Sequence, residues 1–284
     1  MSIKIQTFFH DDTKTVCHIV SEIATNKSAI IDSCLDYDKS SGNTGTEHAD
    51  KVIDYVTKNN LSLEWILETH IHADHLSAAP YIQKTLGGKI GIGNRIKEVQ
   101  KTFGDIYNTE ERFRRDGSQF DHLFKDNEDF LLGDTVCRYL STPGHTPACG
   151  SYKILDNIFV GDTLFMPDYG TARCDFPGGD AQTLYRSIKK ILSYPSKTNL
   201  WLCHDYLTET RKTYKWRTTV EEQLKNNPFV KNQISESEFI KKREKRDSEL
   251  GTPELLIPSI QVNMRAGNMP EAEENGVAYL KVPI

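Results

Sequence analysis

Three histidines and an aspartate fall within six residues of one another, as His70, His72, Asp74 and His75 in the run ETHIHADHL. Such residues seldom gather for packing alone, and imidazole nitrogens beside a carboxylate oxygen are the donor set of Zn(II) and non-haem iron sites. The spacing differs from two histidines at i, i+4 on one helical face. His70 and His72 stand two apart, so in an extended segment they project to the same side, and Asp74 and His75 then fall on the turn that follows. One run can thus feed two neighbouring metal positions.

Three more apolar runs end in a residue of the same kind. VCRYLSTPG leads to His145, NIFVG to Asp162 and LWLC to His204, as WILET leads to His70. Loops just past strand ends converge at one sheet edge while the strands hold them rigid, so all seven ligand-type side chains can meet there. Taken singly, His145 is a turn histidine as readily as a ligand, Asp162 a turn cap, and His204 weaker still. His10, His18, His48 and His122 lack such company and read as structural or solvated.

The elements that must position these groups follow from pattern. Residues 3–9, 16–23 and 29–35 are short, branched or aromatic runs separated by polar turns, which predicts a strand meander. ADKVIDYVTKNN has helical spacing and leads into the buried strand LEWILET. Ser77 is placed to cap a helix with Pro80 in its first turn and Gly87-Gly88 at its end. Residues 95–127 are polar and read as a surface excursion. FLLGDTVCRYL, SYKILDNIFVGD and TNLWLCHDY read as strands, with a helix over DAQTLYRSIKKIL between the last two. Ser235 and Glu238 suggest a capping box opening a charged helix, whose KKREKR run reads as a solvated face because acidic residues flank it. LLIPSIQVNMRAGNMP and VAYLKVP are too apolar for a disordered tail and are expected to pack back on the body.

A chain of 284 residues builds its core without covalent staples, so metal here would serve chemistry. The net charge of −5, from 35 basic and 40 acidic residues, disfavours nucleic acid and anionic membranes as partners. No signal-peptide pattern and no long apolar segment appear, so a cytoplasmic location is expected. The six scattered cysteines, with no C-x-x-C, are expected to be free thiols.

THIHADH, TPGHT, FVGDTLF and CHDY, in this order, resemble the metallo-β-lactamase superfamily. The resemblance implies an α/β fold, a four-layer αββα sandwich covering about residues 1–210, with a helical and tail extension over 211–284 in the same single domain. In dinuclear members the matching ligands are His70, His72 and His145 for one metal and Asp74, His75 and His204 for the other, with Asp162 bridging. The run Gly170-x-x-Arg173-x-Asp175-Phe176 and the ending VNMRAG are similar to elements of the persulfide dioxygenases, also called sulfur dioxygenases. The chain is similar to a bacterial branch of that family named for β-lactamase-like hydrolases, and it carries a longer insertion at 95–127.

That resemblance implies one Fe(II) per chain on a facial triad of His70, His145 and Asp162, and oxidation of glutathione persulfide by O2 and water to sulfite and thiol. Arg173, Tyr206 and Arg265 are the expected substrate-binding residues, with a tail-anchoring salt bridge as the plainer role for Arg265. His72, Asp74, His75, Asp175 and His204 would orient ligands, or form a second metal site. Cys174 and Cys203 read as apolar packing. The rival is a hydrolase of glutathione thioesters or lactones with two zinc ions, resembling glyoxalase II. A metal-dependent sensor without turnover is a third reading. No sulfur-transfer domain is visible, and a homodimer through a sheet edge or the C-terminal segment is compatible with the sequence.

Overall fold

The structure, a computed structural model, describes residues 1–231 and 234–284. The expected meander forms as β1 (Ile3–His10), β2 (Thr15–Glu22) and β3 (Lys27–Ile31), antiparallel, with Phe9 opposite Val16 and Ile19 opposite Ile30. A small ribbon of β4 (Asp36–Tyr37) and β5 (Thr44–Gly45) follows. Three crossovers then extend the sheet in parallel. Helix α1 (Glu47–Lys58) leads to β6 (Ser62–Leu67), α2 (Ala79–Leu86) to β7 (Lys89–Gly93), and α3 (Ile96–Ile106) to β8 (His122–Phe124).

The second sheet runs β14-β13-β12-β11-β10-β9. Its strands are β9 (Asp129–Leu132), β10 (Thr135–Ser141), β11 (Gly150–Ile154), β12 (Asn157–Phe159), β13 (Asn199–Trp201) and β14 (Arg217–Thr219). Helix α4 (Ala181–Leu192) makes the parallel crossover from β12 to β13, and α5 (Val220–Asn226), α6 (Glu236–Asp247) and α7 (Leu256–Asn263) complete the chain.

Three apolar layers define the sandwich. Val20, Ile31, Leu67 and Phe124 of the first sheet meet Leu132, Tyr139, Tyr152 and Phe159 of the second. Val52, Ile82, Val99 and Ile260, from α1, α2, α3 and α7, cover the outer face of the first sheet. Leu184, Ile188, Val220 and Phe239, from α4, α5 and α6, cover that of the second. The result is the expected αββα order.

Several expectations need correction. Residues 95–127 are not a surface excursion: Ile96, Val99 and Phe103 recur at helical spacing, and with Tyr107, Phe113 and Phe120 they are buried in the first core. Dense charge on the opposite face of α3 masked that stripe. FLLGDTVCRYL is a hairpin, turning at Gly133 with φ of +57°, and SYKILDNIFVGD likewise divides into β11 and β12. Helix α2 starts at Ala79, although the Ser77 hydroxyl still accepts the Ala79 N–H at 3.1 Å.

The capping box of α6 is present, with Ser235 Oγ accepting from Glu238 N–H and the Glu238 carboxylate accepting from Ser235 N–H. Its KKREKR run is not wholly solvated, because Phe239, Arg243 and Asp247 form a buried stripe. The tail packs back as expected through Ile260, Val262, Met264 and Ala266, whereas Val277, Tyr279 and Val282 stay exposed. All six cysteines are buried free thiols. Among the described residues no helix is long and apolar enough to cross a membrane.

Candidate metal centre

The four strand ends deliver their polar residues to one place. The His70–His75 loop follows β6, His145 follows β10, Asp162 sits in a short 3-10 turn (Gly161–Thr163) after β12, and His204 follows β13. Two glycines make the convergence possible. Gly144, at φ of +139°, lets Leu184 of α4 approach so closely that a Cβ would lie 2.3 Å from its Cα, and Gly161, at +52°, would place a Cβ 2.5 Å from Thr69 Oγ1. Each immediately precedes a candidate ligand.

Ligand atoms of His70, His145 and Asp162 lie within 4.8 Å of one another, and so do those of His72, Asp74, His75 and His204. The Asp162 carboxylate joins the two sets. Its Oδ2 is 3.7 Å from His70 Nε2 and 3.6 Å from His145 Nε2, and its Oδ1 is 3.6 Å from His204 Nε2, which is 3.3 Å from Asp74 Oδ2. Donors about 2.1 Å from a common metal stand roughly 3 to 3.5 Å apart, close to these separations.

Buried polar atoms normally have partners. Here His70 Nε2, Asp74 Oδ2, His75 Nε2, Asp162 Oδ1 and His204 Nε2 are buried with no hydrogen bond, and each belongs to one of the two donor sets. Metal coordination would give these atoms their missing partners, so the residues fit a metal. Burial, with the neighbouring histidines, holds His70 well below the usual imidazole range and His75 at about 4, keeping their lone pairs available. Burial pushes the Asp162 carboxyl up, and its neighbouring histidines oppose that shift. Burial would also raise Asp74, but His204 and His75 hold it well below the carboxylate range.

Each ring is aimed by its other nitrogen. His70 Nδ1 is 3.0 Å from Thr69 Oγ1, and His145 Nδ1 donates to the Arg173 carbonyl. His72 Nε2 lies between two buried carboxylates, 3.1 Å from Asp32 Oδ1 and 3.3 Å from Glu68 Oε2. Burial alone would lower His72, but this pair raises it well above the usual range.

Asp32 and Glu68 were not picked out from sequence. Asp32 ends the apolar run AII, so the same strand-end rule would have found it. Its carboxylate also accepts the Thr69 N–H at 2.8 Å, fixing the residue before His70.

Beside the centre opens a cavity of about 700 Å³, whose walls include Asp74, His145, Asp162, Arg173, Phe176 and Tyr206. Arg173 thus lines this cavity. Its Nε and Nη2 donate to both oxygens of Asp175 at 2.6 and 2.7 Å, and its plane lies over Phe176 at 5.0 Å. Tyr206 stacks on His204 with ring centroids 5.9 Å apart.

Arg265 is not brought to the cavity. Its guanidinium donates to Glu110 and to the Gln261 carbonyl and covers Phe113 at 4.3 Å, so it anchors the tail. The residue of VNMRAG that serves the centre is Asn263. Its Nδ2 donates to the carbonyls of His72 and His75 at 2.9 and 2.7 Å, while its Oδ1 accepts the Ser77 N–H at 2.8 Å. Its place two residues before Arg265 was the signal. Cys203 and Cys174 are buried with thiols pushed up by desolvation, in keeping with packing.

Residues 26–204 match the model of the metallo-β-lactamase superfamily. The chain is 51% identical over 283 residues to Glyoxylase B2 of Dictyostelium discoideum, covering 99% of this chain and 97% of that one. It is 26% identical over 268 residues to the mitochondrial persulfide dioxygenase ETHE1 of Bos taurus, covering 93% and 89%. The crystal structure of ETHE1 from Myxococcus xanthus superposes with a TM-score of 0.74 at 24% identity, covering 93% of this chain and all of that one, a likeness of fold. Donor geometry, fold and sequence agree that this chain belongs to the metallo-β-lactamase superfamily.

Proposed function

We propose that the protein is a persulfide dioxygenase with one Fe(II) per chain, oxidising a low-molecular-weight persulfide such as glutathione persulfide with O2 and water to sulfite and the thiol. The observation that carries this reading is the compact His70, His145 and Asp162 triad, opening on a cavity walled by Arg173 and Phe176. Similarity to the Bos taurus persulfide dioxygenase over 93% of the chain supports it. Iron so bound supplies the redox capacity toward O2 that zinc lacks.

The chain's own groups do the rest. Asp162 brings negative charge to the triad, and the Arg173 carbonyl keeps Nε2 of His145 free for the metal. Arg173, Arg243 and Arg246 line the cavity with guanidinium groups, the first two already paired with Asp175 and Asp247, and Phe165, Tyr169 and Phe229 give it an apolar wall for the stem of a peptide thiol. Tyr206 also lines the cavity, stacked on His204.

A second reading has a specific observation in its favour. Asp74, His75 and His204 gather beside the triad with His72 among them, Asp162 faces both sets, and the relative at 51% identity is named Glyoxylase B2. These features suit a dinuclear zinc hydrolase of glutathione thioesters or lactones. Metal analysis of protein made without added zinc, paired with oxygen uptake, separates the readings. One iron and persulfide-dependent oxygen consumption are expected; two zincs with thioester hydrolysis and no oxygen uptake would overturn the proposal.

A further inference from the structure

The turn between β1 and β2 reaches the centre, although none of its residues is a metal ligand. Lys14, at φ of +59°, turns its carbonyl toward His204 Nδ1 at 3.3 Å. Thr15 places its hydroxyl 3.1 Å from His75 Nδ1. From Thr15 a file of side chains leads outward. Thr15 Oγ1 is 2.8 Å from Thr13 Oγ1, which is 2.7 Å from His10 Nδ1, and His10 Nε2 is 3.1 Å from Asp36 Oδ1. Asp36 is partly exposed, so the file joins the buried centre to a surface carboxylate.

The direction of each hydrogen bond follows from the outer end. Burial would raise Asp36, but the His48 N–H and the His10 ring hold its carboxyl below the usual range, so it only accepts. His10 Nε2 must therefore carry a proton. With its one ring proton on Nε2, His10 offers Nδ1 as an acceptor, and the Thr13 hydroxyl donates to it. With that hydrogen committed, Thr13 can only accept from Thr15, and Thr15 can only accept from His75. The last donor is His75 Nδ1–H, which leaves Nε2 deprotonated.

We propose that Asp36, His10, Thr13 and Thr15 are positioning residues that hold His75 in its Nδ1–H tautomer, with Asp74 Oδ2 3.6 Å from the same nitrogen, and so leave the Nε2 lone pair free. That nitrogen is buried and without a partner. The inference rests on the metal-centre geometry and is independent of whether the reaction uses O2 or water, because the file orders the ring before any substrate arrives. Lys14 does the same for His204 through its carbonyl, so one turn orients two histidines of the second set.

The test is long-range 15N–1H NMR of the full chain, free of metal and labelled at histidine, in alkaline buffer, with His75 assigned by its loss in His75→Gln. His75 is expected to show a protonated Nδ1 and an unprotonated Nε2. Thr13→Val removes both functions of the Thr13 hydroxyl, frees Thr15 to donate, and is expected to move His75 into the Nε2–H form; Thr13→Ser should restore the original signature. A wild-type His75 protonated at Nε2, or a Thr13→Val spectrum unchanged at His75, overturns the proposal. Neither readout requires turnover, so failure of the persulfide reading in an oxygen-uptake assay would leave this result standing, and the reverse.

Discussion

The carbonyl oxygen of Arg173 accepts a hydrogen bond of 2.7 Å from Nδ1 of His145, so the loop that supplies the cavity's cation also sets the tautomer of a candidate ligand. That loop is held from α6. Asp247 accepts the Cys174 N–H at 3.0 Å, Arg243 donates to the Thr171 carbonyl at 2.9 Å, and the two side chains pair at 2.7 Å in a buried site.

Asp247→Ala should therefore act twice. Leaving Arg243 buried and unpaired is expected to cost about 3–5 kcal/mol of stability, read from urea unfolding. Loosening the carbonyl behind His145 should also weaken metal binding roughly 10- to 100-fold, read by competition titration with a chelator. An undiminished metal affinity in the folded variant would show that α6 supports the fold alone.

The two donor sets make separable predictions. His70→Ala should abolish iron binding, whereas His75→Ala should leave iron largely in place. Metal analysis of both purified variants decides this, and equal loss in both would favour the dinuclear hydrolase.

Asp32 lies under the motif, with Thr69 N–H, Thr69 Oγ1 and His72 Nε2 all within 3.1 Å of its carboxylate. Asp32→Ala should cost about 3–5 kcal/mol, because a raised His72 and the Thr69 donors lose their buried acceptor. Asp32→Asn keeps an oxygen for Thr69 and suits the left-handed φ of +54°, so it should be the milder change. Thermal melts of the two variants rank them.

Acid sensitivity is expected from His18, which is not one of the candidate ligands and whose Nε2 donates to the Leu202 carbonyl at 2.9 Å. Burial depresses its pKa to about 4, against an unfolded value of about 6.5. The unfolded chain therefore binds more protons between those values, and stability is full above about 6.5 and lost as pH falls toward 4, by about 3 kcal/mol from this group. Replacing His18 by Gln should flatten urea-derived stability over that window.

Much of the centre was legible because strand ends leave a strong mark: an apolar run stopping at His or Asp located His70, His145, Asp162 and His204. The meander, the capping box of α6 and the sandwich order were legible for similar reasons. Helix α3 was not, since its stripe of Ile96, Val99 and Phe103 is diluted by lysines and acids on the other face. Asp32 stands at a strand end like the others and was missed although the same mark was there, whereas Asn263 and the Thr13–Thr15 file act across large sequence separations, through hydrogen bonds that leave no local period.

Asn263 gives the molecule an order in time. Its bonds to His72 and His75 close loops of 191 and 188 residues, and its Oδ1 holds Ser77 as well. A chain growing on the ribosome displays the histidine motif long before this clasp exists. Ion capture in the finished geometry thus becomes a late event, and a message cut short before codon 263 would yield a polypeptide that carries the motif and lacks the clasp that shapes it.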